Sequence, residues 1–166
     1  ARQNQRLVFD FGVAVFLGSS GIESAARRKA LSSVFKNSAH VVAGNSWLAE
    51  QVNADTPISV VPTCIDTNYY VPPNQKYPQN TLRIGWIGTS GNFPYLQKLE
   101  KPLADLRSMG CSFDLRICSD SFDRHLFKRL GATFEKWSPQ GELAFLQSLD
   151  VGLMPLEETD WCRGKC

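Results

Sequence analysis

The segment RIGWIGTSGNFPYL (residues 83–96) holds the residue types best suited to bind an anion. It predicts a buried strand from Leu82 to Ile87, a turn at Gly88-Thr89-Ser90-Gly91 and a helix that begins near Asn92. Such a turn leaves backbone N–H groups unpaired, and they point to one place where the helix dipole also favours negative charge. The two glycines remove the Cβ atoms that would obstruct a ligand. The segment therefore predicts a phosphate-binding turn, although similar turns occur in α/β proteins that bind nothing there.

A second group of candidate residues follows the apolar segment DVGLMP (residues 150–155). Arg163 and Lys165 lie in the loop after it, and cationic side chains of this kind form charge-assisted hydrogen bonds with phosphate. Trp161 lies in the same polar loop. A contact with a donor or a partner and ordinary packing both remain open for this residue.

Other chemistries find little support in the residue spacing. The five cysteines are odd in number and scattered, which favours a reduced, cytosolic setting over a disulfide framework. Cys162 and Cys166 form a loose pair without a nearby histidine, so we expect no metal. His40 and His125 have no neighbouring nucleophile or carboxylate at a suitable spacing, so a hydrolase triad is not supported.

Composition excludes several classes of protein. A net charge of +2 and a pI near 8.3 are too mild for nucleic-acid binding. No apolar run approaches the ~20 residues of a membrane span, and no signal peptide is evident, so we expect a cytoplasmic protein. Arg27, Arg28 and Lys29 either face phosphates or an anionic membrane surface, or form a solvated helix face.

The elements that position these residues alternate between strands and helices. In the first part we predict a strand at Leu7–Phe11, a helix over 22–36, a strand and a helix within 40–52, and a strand over 58–66. In the second part we predict four strands, at 82–87, 113–119, 132–136 and 150–155, and loop after the last. The helices predicted between them are one that breaks near 99–101, one over 125–130, and one from Ser138-Pro139 to about 149. This rhythm predicts an α/β fold with parallel sheets. Trp86, within a strand, and Trp137 are predicted to pack in the core.

A proline-rich segment separates the two parts. Residues 68–80 hold three prolines and few aliphatic side chains, so they suit neither a sheet interior nor a stable helix. We predict a linker there, between domains at 1–67 and 81–166. The chain lacks an initiator Met and stops where a strand-to-helix connection is expected, so we expect a fragment of a longer protein.

Four segments together resemble the group 1 glycosyltransferases, whose GT-B architecture has two Rossmann-like domains facing a cleft. They are AHVVAGNSWLAEQV (39–52), ISVVPTCIDTNYYVP (58–72), LRIGWIGTSGNFPYLQKL (82–99) and LQSLDVGLMPLEETDWCRGKC (146–166). The resemblance implies two partial Rossmann-like units of GT-B type. Residues 1–67 would be the C-terminal part of the acceptor-side domain, and 81–166 the first half of the nucleotide-sugar domain.

The resemblance also implies which residues bind the donor. Relatives hold its diphosphate between the first turn of the second domain, here Gly88, Thr89 and Ser90, and basic residues beyond the fourth strand, here Arg163 and Lys165. Relatives place the nucleotide base near the turn that Trp137 flanks. The nucleotide-sugar is a substrate, and neither a cofactor nor a metal is implied.

Two departures from the family pattern concern acidic residues. Close relatives carry an acidic pair after the first matched strand, where this chain has Gly12-Val13 and retains only Asp10. Many members carry two glutamates at the end of the donor loop, and the first of those positions falls near Gly164.

The resemblance thus implies a retaining transferase that moves a sugar from a nucleotide donor to a glycan or lipid-linked acceptor in polysaccharide biosynthesis. A peripheral contact of the full-length protein with the inner face of the membrane is part of this expectation, and the fragment itself is expected to be inactive. The alternatives are a non-catalytic Rossmann-like module that binds a nucleotide or a partner, and a nucleotide-sugar epimerase of similar build. Donor sugar, base, acceptor and oligomeric state are left open.

Overall fold

The computed structural model describes residues 4–18, 21–53, 55–73 and 81–166. They form two compact units, Ala1–Ile65 with Glu157–Cys166, and Asp66–Leu156. The domain boundaries expected from sequence, 1–67 and 81–166, remain a prediction; in the structure, residues 157–166 group with the first unit. Of the predicted linker, residues 74–80 lie outside the described residues.

The first unit is built on a three-stranded parallel sheet. Its strands are β1 (Asn4–Phe11), β2 (Ser38–Ala43) and β3 (Ile58–Val60), in the order β1-β2-β3, and its helices include α1 (Ala25–Asn37) and α2 (Ser46–Ala49). Helix α1 begins later than predicted because Ser24 takes the N-cap position and accepts the N–H of Arg27. Asn45 caps α2 and accepts the N–H of Leu48 at 2.8 Å.

Apolar side chains from both helices and from the sheet form the core of the first unit. Its buried members are Phe11, Ala14, Phe16, Leu17, Leu31, Phe35, Val41, Ala43 and Leu48. Arg28 packs its guanidinium 3.9 Å from the centre of the Phe16 ring and forms an ion pair with Glu23 at 2.9 Å. Arg27 and Lys29 are exposed. Arg28 therefore serves the packing of this unit. The guanidinium of Arg27 also donates to the backbone carbonyl of Leu17 at 2.7 Å, whereas Lys29 lies on the solvent side.

The second unit contains a four-stranded parallel sheet. Its strands are β4 (Leu82–Ile87), β5 (Phe113–Ser119), β6 (Ala132–Lys136) and β7 (Val151–Gly152), in the order β6-β5-β4-β7. The strand predicted over 150–155 is thus reduced to two residues at the sheet edge. The carboxylate of Asp150 accepts the N–H of Arg83 in β4 at 2.9 Å, and this bond fixes the start of β7.

The helices of this unit follow the predicted signals closely. After a 3₁₀ turn at Ser90–Asn92 come α3 (Phe93–Gln97), α4 (Glu100–Ser108), α5 (Arg124–Leu130) and α6 (Pro139–Gln147). The break between α3 and α4 lies where Pro102 predicted it, because proline is tolerated only in the first turn of the new helix. Ser138 caps α6 and accepts the N–H of Gly141 at 3.1 Å, with Pro139 in the first helical position.

Buried side chains between the sheet and its helices form the second core. They are Ile84, Trp86, Phe93, Leu96, Leu103, Leu115, Ile117, Leu126, Phe127 and Leu130. Trp86 is 6% exposed, which confirms its predicted place in the core. Two parallel-sheet units with helices between successive strands confirm the predicted α/β fold class.

Candidate functional site

A cavity of about 420 Å³ lies in the second unit, where strands β4 and β5 end. Its lining comes from the segments after β4, β5 and β6 and from α6: Ile87, Gly88, Thr89, Asp120, Trp137 and Glu142. Open α/β sheets bind ligands in crevices at the carboxyl ends of their strands, so this is the place where a ligand site is expected.

The predicted phosphate turn contributes Gly88 and Thr89 to this cavity, but the N–H of Ser90 is already paired. It donates to Oδ1 of Asp120 at 2.6 Å, and the Ser90 hydroxyl donates to Oδ2 at 3.1 Å. The sequence predicts unpaired N–H groups along this turn, but the N–H of Gly88 also has a partner, because it donates to the backbone carbonyl of Cys118 at 3.1 Å. The Asp120 carboxylate accepts the N–H of Ser90, because Asp120 directly follows β5, the strand next to β4.

The Asp120 carboxylate is held in its ionised form. The backbone N–H of Ser90 is the main cause that lowers the pKa of Asp120 below its ordinary value, with help from the hydroxyls of Ser119 and Ser90. Lys136 donates to the backbone carbonyl of Asp120, not to the carboxylate.

The structure shows a packing reason for one of the two glycines of the turn. Gly88 and Gly91 both lack a positive φ, so neither is required by a left-handed backbone. A Cβ atom on Gly88 would lie 2.6 Å from the Trp86 ring, so this glycine is required by the buried indole. A Cβ atom on Gly91 would meet nothing within 4 Å.

Trp137 and Glu142 form the opposite part of the cavity lining. The prediction that Trp137 packs in the core is wrong: the residue is 41% exposed, because it follows the end of β6 instead of lying within the strand. Its indole N–H donates to Oε2 of Glu142 at 2.6 Å. The hydroxyl of Tyr70 donates to the other carboxylate oxygen, also at 2.6 Å.

This network shifts the pKa values of two of its members. The Tyr70 hydroxyl and then the Trp137 indole lower the pKa of Glu142 below its ordinary value, whereas the same Glu142 contact raises the pKa of Tyr70. Sequence patterns did not identify Asp120, Glu142 and Tyr70 as residues of the site. Only Asp120 carried a signal there, its position directly after a predicted strand.

Arg163, Lys165 and Trp161 lie in the first unit, whereas Gly88, Thr89 and Ser90 lie in the second. The predicted loop after residue 155 contains a short helix, α7 (Asp160–Arg163), which Thr159 caps. The Asn45 amide donates to the backbone carbonyls of Arg163 at 2.9 Å and Lys165 at 3.2 Å. These bonds hold the end of the chain against α2.

The side chains of this segment differ in exposure. The Arg163 guanidinium is 55% exposed and lies 3.9 Å from the Asp160 carboxylate. Trp161 is half-buried, packs against the first core, and lines a second cavity with Val15 and Arg27. Packing therefore explains part of the Trp161 surface, and its proposed ligand contact stays a prediction.

A further cavity of about 450 Å³ lies in the first unit, where its three strands end. Asp10, Gly12, Gly44, Thr63 and Cys64 are among the residues that line it. Asp10 is the one carboxylate in this lining, as expected from the replacement of the family's acidic pair by Gly12-Val13.

Within residues 4–18, 21–53, 55–73 and 81–166, no three His, Cys, Asp or Glu side chains come together as a metal site requires. Among the helices of these same segments, none has the length and apolar character needed to cross a bilayer.

The chain thus has two Rossmann-like parallel-sheet units, and the second has a cavity at the carboxyl ends of its strands. Among solved structures, the chain is similar to the sucrose-phosphate synthase of Thermosynechococcus elongatus, with a TM-score of 0.65 and 12% identity. The match covers 91% of this chain and 46% of that one, so the chain spans less than half the length of this neighbour. No protein-family model and no curated protein matches the sequence.

Proposed function

We propose that the second unit binds a nucleotide-sugar and that the protein acts as a retaining group 1 glycosyltransferase. It would transfer the sugar to a glycan or lipid-linked acceptor in polysaccharide biosynthesis. The fold it has in common with a sucrose-phosphate synthase supports this proposal, as does the position of the cavity at the carboxyl ends of β4 and β5.

The observation that carries the proposal is the exposed indole of Trp137, fixed by Glu142 at the cavity. An aromatic ring with an accessible face offers stacking to a nucleobase, and the neighbouring carboxylate offers acceptors for base N–H or ribose hydroxyl groups. A volume of about 420 Å³ lies within the usual range for small-molecule sites.

The diphosphate of the donor would be bound by Gly88, Thr89 and Ser90, with Arg163 and Lys165 as cationic partners. A departing nucleoside diphosphate gains negative charge as the glycosidic bond breaks. Backbone N–H groups and a guanidinium stabilise that charge without a metal ion. We therefore propose that no metal and no separate cofactor takes part, and that Trp161 contacts the donor or a partner.

The proposed setting of the protein is cytoplasmic, without a nucleic-acid partner. Peripheral attachment of the full-length protein to the inner face of the membrane is proposed through cationic residues. The exposure of Arg27 and Lys29 on α1 supports this part.

Isothermal titration calorimetry of the 166-residue chain with UDP, GDP and their sugars tests the proposal. We expect saturable binding of at least one of these ligands to the wild type and weaker binding to the Trp137→Ala variant, by the factor that corresponds to about 1–3 kcal/mol. Trp47→Phe, a change in the other unit, is the control and should retain binding. The absence of saturable binding across the whole panel would rule out the proposed site.

The second candidate is a module that binds a nucleotide without turnover. The cavity of the first unit favours this candidate, because Asp10 is the only carboxylate in its lining, where the related family carries an acidic pair. A donor-hydrolysis and transfer assay on the full-length protein separates the candidates, since turnover excludes the non-catalytic one.

A further inference from the structure

The carboxylate of Asp120 occupies the position in which a phosphate would bind to the turn after β4. It accepts the Ser90 N–H at 2.6 Å and the Ser90 hydroxyl at 3.1 Å, two donors suited to phosphate oxygens. The Ser119 hydroxyl donates to the same carboxylate at 3.0 Å. A protein-derived anion thus already satisfies this part of the turn.

The charges around the cavity increase the effect of this carboxylate. Asp120 and Glu142 are both in the lining, and none of the six lining residues is cationic. The neighbouring Lys136 donates to the backbone carbonyl of Asp120 instead of to its carboxylate. Glu142 has its two oxygens engaged by Tyr70 and Trp137, whereas Asp120 is exposed. A phosphate that approaches Ser90 therefore meets a negative charge and must compete with it for the same donors.

We propose that Asp120 is a specificity-determining residue that acts as an internal competitor of the ligand phosphate. The phosphate binds to the turn only when it displaces the Asp120 carboxylate from Ser90, so Asp120 weakens binding of phosphorylated ligands and leaves binding of the nucleoside unaffected. This inference rests on the proposed function, because it assumes that the cavity accepts a nucleotide.

A purely structural role of Asp120 makes a different prediction. If the carboxylate only fixes the shape of the turn, its replacement changes the binding of a nucleoside and of its diphosphate by the same factor. If it competes with phosphate, only the ligand with phosphate responds. The ratio of the two dissociation constants therefore separates the two roles.

Calorimetry with UDP and uridine, or with GDP and guanosine if the site prefers that base, provides the test. In Asp120→Asn the amide oxygen can still accept the Ser90 N–H, while the negative charge is removed. We expect the diphosphate to bind about tenfold more tightly to this variant. Binding of the nucleoside should change by less than about twofold. Asp120→Ala should act in the same direction, and circular dichroism checks that both variants fold.

Asp114→Asn is the matched control, because it removes the same charge near the start of β5, the opposite end of the strand from Asp120. It should leave both affinities unchanged. Equal changes for nucleoside and diphosphate, or weaker diphosphate binding in Asp120→Asn, would overturn the inference while the nucleotide site stands. If none of these proteins binds any nucleoside or nucleotide, the proposed function fails and the inference fails with it.

Discussion

The indole N–H of Trp137 donates a hydrogen bond of 2.6 Å to the carboxylate of Glu142, and both residues line the cavity of the second unit. The bond fixes an aromatic ring that is 41% exposed, so the ring is held in place without being buried. A fixed, accessible ring loses little conformational entropy when a base stacks on it, which makes Trp137 well suited to binding.

Removal of the Trp137 ring should weaken nucleoside binding. Stacking of one base on an aromatic side chain contributes about 1–3 kcal/mol, so Trp137→Ala should raise the dissociation constant by the corresponding factor. Trp137→Phe retains a stacking surface and loses the bond to Glu142, so its affinity for the nucleoside should lie between those of the wild type and Trp137→Ala. Calorimetry with the preferred nucleoside measures both changes. Equal affinity of all three proteins would exclude stacking on this ring.

Loss of the Tyr70 hydroxyl should lower stability only over a middle range of pH. Glu142 has a pKa below its ordinary value of 4.5, so its contribution is present above pH 4.5 and is lost as the pH falls through the folded-state pKa. Tyr70 has a pKa above its ordinary value of 10.0, so its contribution is present below pH 10.0 and is lost as the pH rises through the folded-state pKa.

Thermal unfolding of the wild type and of Tyr70→Phe at about pH 3, 7 and 11 measures this dependence. The difference in Tm between the two proteins should be largest at the middle pH and shrink at both extremes. Tyr69→Phe, which removes a hydroxyl from the adjacent tyrosine, is the control. A difference that does not vary with pH would show that the Tyr70–Glu142 bond contributes nothing to stability.

Sequence patterns predicted most of the helices and strands, missed the short helix α7, and did not predict the contacts between elements. Local signals at Pro102 and Ser138 placed a helix break and a helix cap correctly, because each acts within one turn of its own position. The Ser90–Asp120 and Tyr70–Glu142 pairs join residues 30 and 72 positions apart, so they depend on how the sheet and α6 pack. No local pattern contains that information.

Asn45 should stabilise the end of the chain through its side-chain amide. Asn45→Asp retains the oxygen that caps α2 but loses the donors to the carbonyls of Arg163 and Lys165. We expect it to lower the free energy of unfolding by about 1 kcal/mol. Asn45→Ala also loses the cap, so its cost should be about 2 kcal/mol. Urea unfolding measures both values.

Trypsin cleavage after Arg163 and Lys165, followed by mass spectrometry, tests the same contact locally. Cleavage at these two sites should be faster in Asn45→Asp than in the wild type. Ser24→Ala removes the cap of α1 without a contact to the chain end, so it should leave these rates unchanged. Indistinguishable cleavage of Asn45→Asp and wild type would show that the two hydrogen bonds do not hold the segment.

Short helix α7 shows why the end of the chain was predicted as loop. Four residues give too little periodicity to indicate a helix, and the element depends on the Thr159 cap and on Asn45, which lies 118 positions before Arg163. Trp161 is half-buried against the core of the first unit, and this burial also depends on residues that are distant in sequence.

The Arg163 guanidinium should contribute to donor binding if the proposed diphosphate site includes it. The carboxylate of Asp160 lies 3.9 Å from the guanidinium, and the Arg163 side chain is 55% exposed. Arg163→Ala should weaken UDP binding by about 1.5–3 kcal/mol, the range for a lost charge-assisted hydrogen bond. Lys101→Ala, which removes a positive charge from the exposed surface of α4, should have no effect. Unchanged UDP affinity in Arg163→Ala would remove this residue from the site.

The central claim is that a nucleotide binds against Trp137, and an NMR titration of the 166-residue chain with UDP and GDP tests it most directly. The protein has four tryptophans, and each gives one indole ¹H–¹⁵N signal. We expect the Trp137 signal to shift saturably while the signal of Trp47, in the other unit, stays in place. Saturable binding that leaves the Trp137 signal unmoved, or no shift of any signal, would contradict it.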